Sequence, residues 1–268
     1  MTRIALLTQH DKQNAVQAPL AAAGYVVHTI SNVDTDTLGT FTGETARKGT
    51  QLDAALAKAQ MATRLSGERY GLGSEGSFGP DPHIGLTGWG QEVLAWWDAH
   101  DEHVVYAAVQ GPDTNYEQTA AATWADAQSF AQSVGFADHG VIVGKPGQPF
   151  FIKDCGDWVG LEQQVRAGLK QGPVWLETDM RAHRNPTRMA MIRRCAEQLA
   201  DLLQSHCPAC HSTGFGEVLP IYGATCEACG AATAALKGKK TRCTVCGFTE
   251  HETIRSTVPP ARCEHCNP

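Results

Sequence analysis

The chain has 268 residues, a formal net charge of −6 and 42% hydrophobic residues, enough for one large domain and a small appendage. The acidic balance argues against general binding to a nucleic-acid backbone. The opening apolar run, residues 1–7, is too short for a signal peptide or a membrane span. We therefore expect a cytoplasmic protein that has no membrane partner.

Apolar runs rich in valine and isoleucine alternate with helical patterns, which predicts an α/β fold with a mixed central sheet flanked by helices. Strands are predicted at residues 3–8, 24–30, 70–78, 92–98, 103–110, 140–144, 150–154 and 174–177. Helices are predicted at residues 14–23, 44–65, 122–134, 158–170 and 186–203. Because the last helix ends before the first cysteine pair, we expect one domain over residues 1–204 and a second over residues 205–268.

The second domain contains eight of the ten cysteines, arranged in four Cys-x-x-Cys pairs: Cys207/Cys210, Cys226/Cys229, Cys243/Cys246 and Cys263/Cys266. Each pair forms a tight knuckle that aims two sulfurs at one point, and two knuckles complete a tetrahedral zinc site. The spacing between pairs, 15 and 16 residues, is normal for zinc ribbons. It favours metals shared by consecutive pairs, although the sequence leaves the pairing open.

We expect two structural zinc ions in this double ribbon. Disulfides or redox pairs are the competing interpretation, which the missing secretory signal disfavours. A closed four-cysteine site has no open coordination position, so chemistry is expected upstream.

One segment that could carry chemistry runs through the predicted helix 44–65. Thr42 can cap that helix, and Glu44 lies in its first turn. On a continuous helix Glu44 and Lys58 share a face, whereas Asp53 is turned aside. Each acid could also decorate an exposed face.

Two further segments are unusual for their polar residues. Glu75 lies in a Gly/Ser run at a strand end, where a carboxylate is well placed to hold Mg²⁺ beside a phosphate. Residues 181–188 cluster three arginines and His183 before a helix, and such a cluster can bind an anion or a planar base. Alternatively, His183 and Arg184 only stabilise the start of the helix.

Taken in chain order, these segments resemble the inosine triphosphate pyrophosphatase-like superfamily of house-cleaning nucleoside triphosphate pyrophosphatases. That superfamily has a Thr/Ser-x-Asn-x-x-Lys loop, a Thr-Phe-x-Glu-Asn-Ala-x-x-Lys-Ala helix, an acidic strand end and a late Ser-His-Arg. The counterparts here are residues 8–12, 40–59, 74–76 and 182–184, with His10 in place of the asparagine and Ala182 in place of the serine. The whole chain also resembles a bacterial domain family of unknown function, through its Ser-Glu-Gly-Ser-Phe-Gly-Pro and terminal Cys-x-x-Cys-Asn-Pro motifs.

The pyrophosphatase resemblance implies Mg²⁺-dependent hydrolysis of a nucleotide at a phosphoanhydride. The catalytic residues that it implies are carboxylates for Mg²⁺ and a lysine that offsets phosphate charge: Glu44, Asp53, Glu75 and Lys58. The residues that it implies for substrate contact the phosphates or the base: Thr8, Lys12, Arg47, His183, Arg184 and Arg188.

The alternative is a binding protein in which the ribbons contact nucleic acid or a protein, with the first domain a non-catalytic nucleotide sensor. The basic residues available for that role are Lys237, Lys239, Lys240 and Arg242. The oligomeric state is not set by the sequence, which leaves a homodimer open.

Overall fold

The computed structural model describes residues 1–31, 49–145, 148 and 151–268. The chain divides into two compact units, Met1–Ala200 and Asp201–Pro268, whereas the sequence prediction placed the boundary after Gln204. Glu44, Arg47 and Thr42 lie outside the described residues. No helix in the part of the chain that the structure describes is long and apolar enough to cross a membrane.

The first unit contains the mixed sheet that the sequence predicts, with strand order β2-β1-β3-β4-β5. β1 is parallel to β2 and β3, and β3, β4 and β5 form an antiparallel meander. The strands are β1 (Thr2–Leu7), β2 (Tyr25–Ile30), β3 (Tyr70–Pro80), β4 (Gly88–Asp98) and β5 (His103–Gly111). The fold class expected from the sequence is thus confirmed.

Helix α1 (Gln13–Ala22) connects β1 to β2, and α2 (Gln51–Ser66) precedes β3. α2 packs unusually close to β3, because a Cβ at Gly73 would lie 1.8 Å from the Ala55 carbonyl oxygen and one at Gly71 would lie 2.1 Å from that of Ala59. Glycine is therefore required at both strand positions.

The predicted helix 44–65 is wrong at its start. Gly49 has a φ of 83° and Thr50 is extended, so no continuous helix runs through them. Thr50, rather than Thr42, caps α2 and forms a capping box with Asp53. Without a continuous helix, helical periodicity no longer predicts that Glu44 and Lys58 share one face.

A second sheet in the same unit has strand order β6-β9-β7-β8, and its paired strands are antiparallel. Its strands are β6 (Gln118–Ala121), β7 (Val141–Gly144), β8 (Phe151–Ile152) and β9 (Val174–Thr178). α3 (Trp124–Ser133) and α4 (Trp158–Leu169) pack against it through a core that includes Phe130, Leu161 and Leu176. A 3₁₀ turn (Ala182–Arg184) then leads into the long helix α5 (Pro186–Gln204).

The second unit contains a three-stranded antiparallel sheet, β10-β12-β13, and a short parallel pair, β11-β14. These strands are β10 (Glu217–Tyr222), β11 (Thr225–Cys226), β12 (Leu236–Arg242), β13 (Thr249–Thr253) and β14 (Thr257–Val258). The four cysteine pairs lie in the turns around them.

Candidate functional site: a buried charge cluster at the end of β1

Lys12 lies just beyond β1, beside a stretch of β3 that β1 does not reach. β1 pairs with β3 only as far as Leu72, while β3 continues to Pro80. The Lys12 side chain lies against this stretch of β3, a region that we call the crevice. Its Nζ donates to the Ser74 Oγ at 3.1 Å and lies 3.4 Å from the Ser74 carbonyl oxygen. The carboxyl ends of parallel strands are where open α/β sheets bind ligands.

Lys12 is buried, and burial together with the positive charge of Arg188 lowers its pKa from 10.5 to about 7. Both of its hydrogen-bond partners are uncharged. Within the described ranges, no carboxylate lies at ion-pair distance from its ammonium group. A buried ammonium group that has no counter-charge among the described residues is energetically costly.

Two buried carboxylates near Lys12 are each paired with another cation. Glu75 accepts from the Nζ of Lys58 at 2.5 Å, and Glu92 accepts from the Nε of Arg188 at 2.5 Å. Glu75 is opposite Val93, whereas Glu92 is opposite Gly76. Because side chains alternate along a strand, the two ion pairs lie on opposite faces of the sheet, with the Lys58 pair under α2 and the Arg188 pair under α5.

The Arg188–Glu92 pair is completely buried in a space that Gly76 leaves free. A Cβ at Gly76 would lie 2.3 Å from the Glu92 Oε1 and 2.8 Å from an Arg188 nitrogen. Arg188 also donates to the Met180 carbonyl oxygen, and its guanidinium carbon lies 5.2 Å from the centre of the Phe78 ring. Glu92 was not among the predicted site residues.

His10 and His183 bring the first and last predicted segments together. Their rings stack with centroids 5.0 Å apart. Burial, followed by the charge of Lys12, lowers the pKa of His10 to about 4, and burial followed by the charge of Arg181 lowers that of His183. The His10 ring is therefore neutral at pH 7. A groove of about 600 Å³ beside His183 is also lined by Asp11, Pro186 and Met189.

The other predicted site residues in the described part of the chain have different surroundings. The Thr8 hydroxyl accepts from the His10 backbone N–H at 3.2 Å. Asp53 is exposed and accepts from the backbone N–H and hydroxyl of Thr50 at 2.8 Å each. The Nε of Arg184 lies 3.5 Å from the carboxylate of Asp154. The local partners of Asp53 and Arg184 thus lie outside the charge cluster.

The structure gives the expected Mg²⁺ site no support, and Glu44, one of its predicted ligands, lies outside the described residues. Among the residues that the structure describes, only the two cysteine tetrads bring three or more His, Cys, Asp or Glu ligand atoms within 4.8 Å of one another. The Glu75 carboxylate is already occupied by Lys58. The expected magnesium site therefore stays a prediction without support from the described residues.

The cysteine tetrads have the geometry of tetrahedral zinc sites. Sulfur–sulfur distances are 3.7 Å for Cys207–Cys246 and Cys210–Cys243, 3.8 Å for Cys226–Cys266 and 3.7 Å for Cys229–Cys263. A tetrahedron with zinc–sulfur bonds of about 2.3 Å has sulfurs about 3.8 Å apart. Two structural zinc sites, as the sequence predicts, fit these residues.

The knuckles pair first with third and second with fourth, not consecutively as the spacing favours. The reason is the strand register. β10 and β12 are antiparallel with Glu217 opposite Arg242, so the pair before β10 meets the pair after β12. β11 and β14 are parallel with Cys226 opposite Val258, which brings the second pair to the fourth.

Comparisons with known proteins agree with only part of the sequence interpretation. A family model described as Domain of unknown function (DUF6671) matches residues 58–268. This supports the whole-chain resemblance, whereas the inosine triphosphate pyrophosphatase-like superfamily finds no such support. Searches of curated proteins and of solved structures found no match.

Proposed function

The chain belongs to the DUF6671 family, and from the geometry of its first unit we propose that it binds the phosphate chain of a nucleotide and hydrolyses a phosphoanhydride bond in it. The observation that carries the proposal is the buried Lys12, whose hydrogen-bond partners within the described ranges are all uncharged. An anionic ligand would supply the missing counter-charge, as phosphates do at many lysine-containing sites.

The charge balance of the crevice supports an anionic ligand. Lys12 interacts electrostatically with two cationic side chains, Lys58 and Arg188, and with two carboxylates, Glu75 and Glu92. Among the residues that the structure describes, these carboxylates pair with Lys58 and Arg188, so neither ion pair supplies a counter-charge to a protonated Lys12. A cluster with this balance attracts an anion and disfavours a free metal cation.

The surroundings of the crevice favour a nucleotide over a simple phosphate. The groove beside His183, at about 600 Å³, is large enough for a nucleoside. Its apolar part, Pro186 and Met189, can contact a planar base. His183 also lines the groove, and the His10 ring stacked on it interacts electrostatically with Lys12. The same segments carry the resemblance to nucleoside triphosphate pyrophosphatases.

In the proposed reaction the cations would stabilise negative charge that develops on the transferred phosphoryl group. Lys12 suits this role, because its hydrogen-bond partners among the described residues are uncharged, whereas Lys58 and Arg188 are each held by a buried carboxylate. No step is assigned to Mg²⁺ held by the protein, because the described residues do not assemble its ligands.

The test is release of pyrophosphate or phosphate from a panel of canonical and modified nucleoside triphosphates and nucleotide conjugates, with Mg²⁺ present as their usual counter-ion. Wild-type protein should hydrolyse at least one member, and Lys12→Met should lose at least tenfold in kcat/KM, the effect of about 1.4 kcal/mol of transition-state stabilisation. Lys170→Met, which removes an exposed lysine of the same unit, is the matched control. Full activity of Lys12→Met, or no turnover of any member, would contradict the proposal.

An adaptor role for the zinc-binding unit is the second candidate from the sequence. Two of its four basic candidates have cross-strand partners: Lys239 pairs with Glu252 at 2.9 Å and Arg242 with Glu217 at 2.5 Å. Such pairing reduces the positive charge offered to nucleic acid. The structure therefore gives this candidate no specific advantage.

A further inference from the structure

We propose that the crevice takes up a proton from solvent onto Lys12 when a phosphate-like dianion binds, so that the site is stronger on the acidic side of neutrality. This inference rests on the anion site of the proposed function, but it does not require hydrolysis. It concerns the charge state of one amine before and after the ligand arrives.

Among the described residues, the charged and polar groups that act on Lys12 come from four elements. The neutral Ser74 and the anionic Glu75 belong to β3, Lys58 belongs to α2, Glu92 to β4 and Arg188 to α5. His10, from the same loop, adds a neutral ring. The two anions are already paired with the other two cations, so an additional charge on Lys12 has no partner in this set.

Without a ligand, the amine therefore loses its proton easily. Burial and the charge of Arg188 hold the pKa of Lys12 at about 7. A bound dianion reverses the local balance and favours the ammonium form, as an opposite charge at close range does. Binding above pH 7 must then include protonation of the amine, and it becomes weaker as fewer molecules carry that proton.

The size of the effect follows from the protonated fraction. With a pKa of about 7, Lys12 is mostly protonated at pH 6.5 and only a few per cent protonated at pH 8.5. Apparent affinity scales with that fraction, so it should fall about twentyfold between these two pH values. His10, with a pKa of about 4, is neutral throughout this range, and burial also lowers the pKa of His183.

The experiment is isothermal titration calorimetry of the full chain with inorganic sulfate, a dianion that carries no proton in the neutral range. We expect a dissociation constant about twentyfold larger at pH 8.5 than at pH 6.5. At pH 8.5, buffers of different ionisation enthalpy should report uptake of about one proton per sulfate. Lys170→Met should retain both effects, because it leaves the crevice intact.

Lys12→Arg is the decisive variant, because an arginine keeps its charge over the whole range. It should bind sulfate with no pH dependence and no proton uptake. Lys12→Met, which fits the buried space more easily, should bind weakly at both pH values. A flat wild-type affinity, a Lys12 variant that keeps the slope, or no sulfate binding at all would overturn the inference.

The outcome is separable from that of the hydrolysis assay. Nucleotide turnover with a flat sulfate affinity would reject proton uptake and leave the proposed function standing. Proton-linked sulfate binding without turnover of any nucleotide would reject the hydrolase and leave this inference in place.

Discussion

Replacing Lys12 by methionine should stabilise the first unit at neutral pH, even though it removes the hydrogen bond to Ser74. The side chain is 7% exposed, and its pKa falls from 10.5 to about 7 on folding. Above pH 10.5 the amine is neutral in both states and burial costs no ionisation energy. Below pH 7 it is protonated in both states, and the folded state carries the full cost.

At about 1.4 kcal/mol per pKa unit, this cost is about 4 kcal/mol at pH 7 and about 1 kcal/mol at pH 10. The lost hydrogen bond offsets about 1 kcal/mol at either pH. The methionine variant should therefore be more stable than wild type by about 3 kcal/mol at pH 7, and nearly equal to it at pH 10.

The assay is urea unfolding followed by tryptophan fluorescence. All six tryptophans lie before residue 200, so the signal reports on the first unit alone. Lys170→Met should shift neither curve by much, because that lysine is exposed. A Lys12→Met variant that is less stable than wild type at pH 7, or whose gain is the same at both pH values, would refute the reasoning.

Three further predictions concern the buried pair and the zinc-binding unit. Glu92→Ala should cost about 3–5 kcal/mol in the same unfolding assay, because it removes the buried carboxylate that pairs with Arg188. Glu162→Ala, which breaks an exposed pair with Arg166, should cost under about 1 kcal/mol. Similar losses for the two variants would contradict this prediction. The double variant Cys207→Ser with Cys243→Ser should retain one zinc per chain by elemental analysis, because both residues belong to one tetrad. Loss of both zinc ions would instead favour metal sites formed by consecutive cysteine pairs. His211 has a φ of 60° at the position where the second and third knuckles have Gly230 and Gly247. His211→Gly should therefore stabilise the zinc-binding unit by about 1 kcal/mol, measured as slower zinc transfer to a chelator. Faster transfer would contradict this prediction.

Most strands and helices could be predicted because their apolar periodicity is local. β6 was missed, since Gln118–Ala121 has few residues that favour strands and depends on its pairing with β9. The start of α2 was misplaced because two threonines, Thr42 and Thr50, both precede helix-forming residues, and only the conformation at Gly49 distinguishes them. Local sequence does not contain that information.

The candidate site was only partly predictable for a similar reason. Lys58 and Glu75 could be singled out by type and position, but their contact depends on the close packing of α2 against Gly71 and Gly73. The only sign of Glu92 in the sequence is its position, an acid at the start of an apolar strand. Its role in the site becomes apparent only when the strand register places Gly76 opposite it. Cysteine spacing predicts the metal but not the partners, because strand register sets the pairing.

The central claim, that Lys12 marks an anion site, is tested most directly by the affinity of a nucleoside triphosphate whose α–β bridging oxygen is replaced by a methylene group. This ligand keeps the phosphate charges and resists cleavage at the α–β bond, and an assay for released phosphate shows whether its β–γ bond stays intact during the titration. At pH 7 the full chain should bind it, Lys12→Met should bind at least tenfold more weakly, a loss of about 1.4 kcal/mol or more, and Lys170→Met should match wild type. Equal affinity of wild type and Lys12→Met would contradict the account.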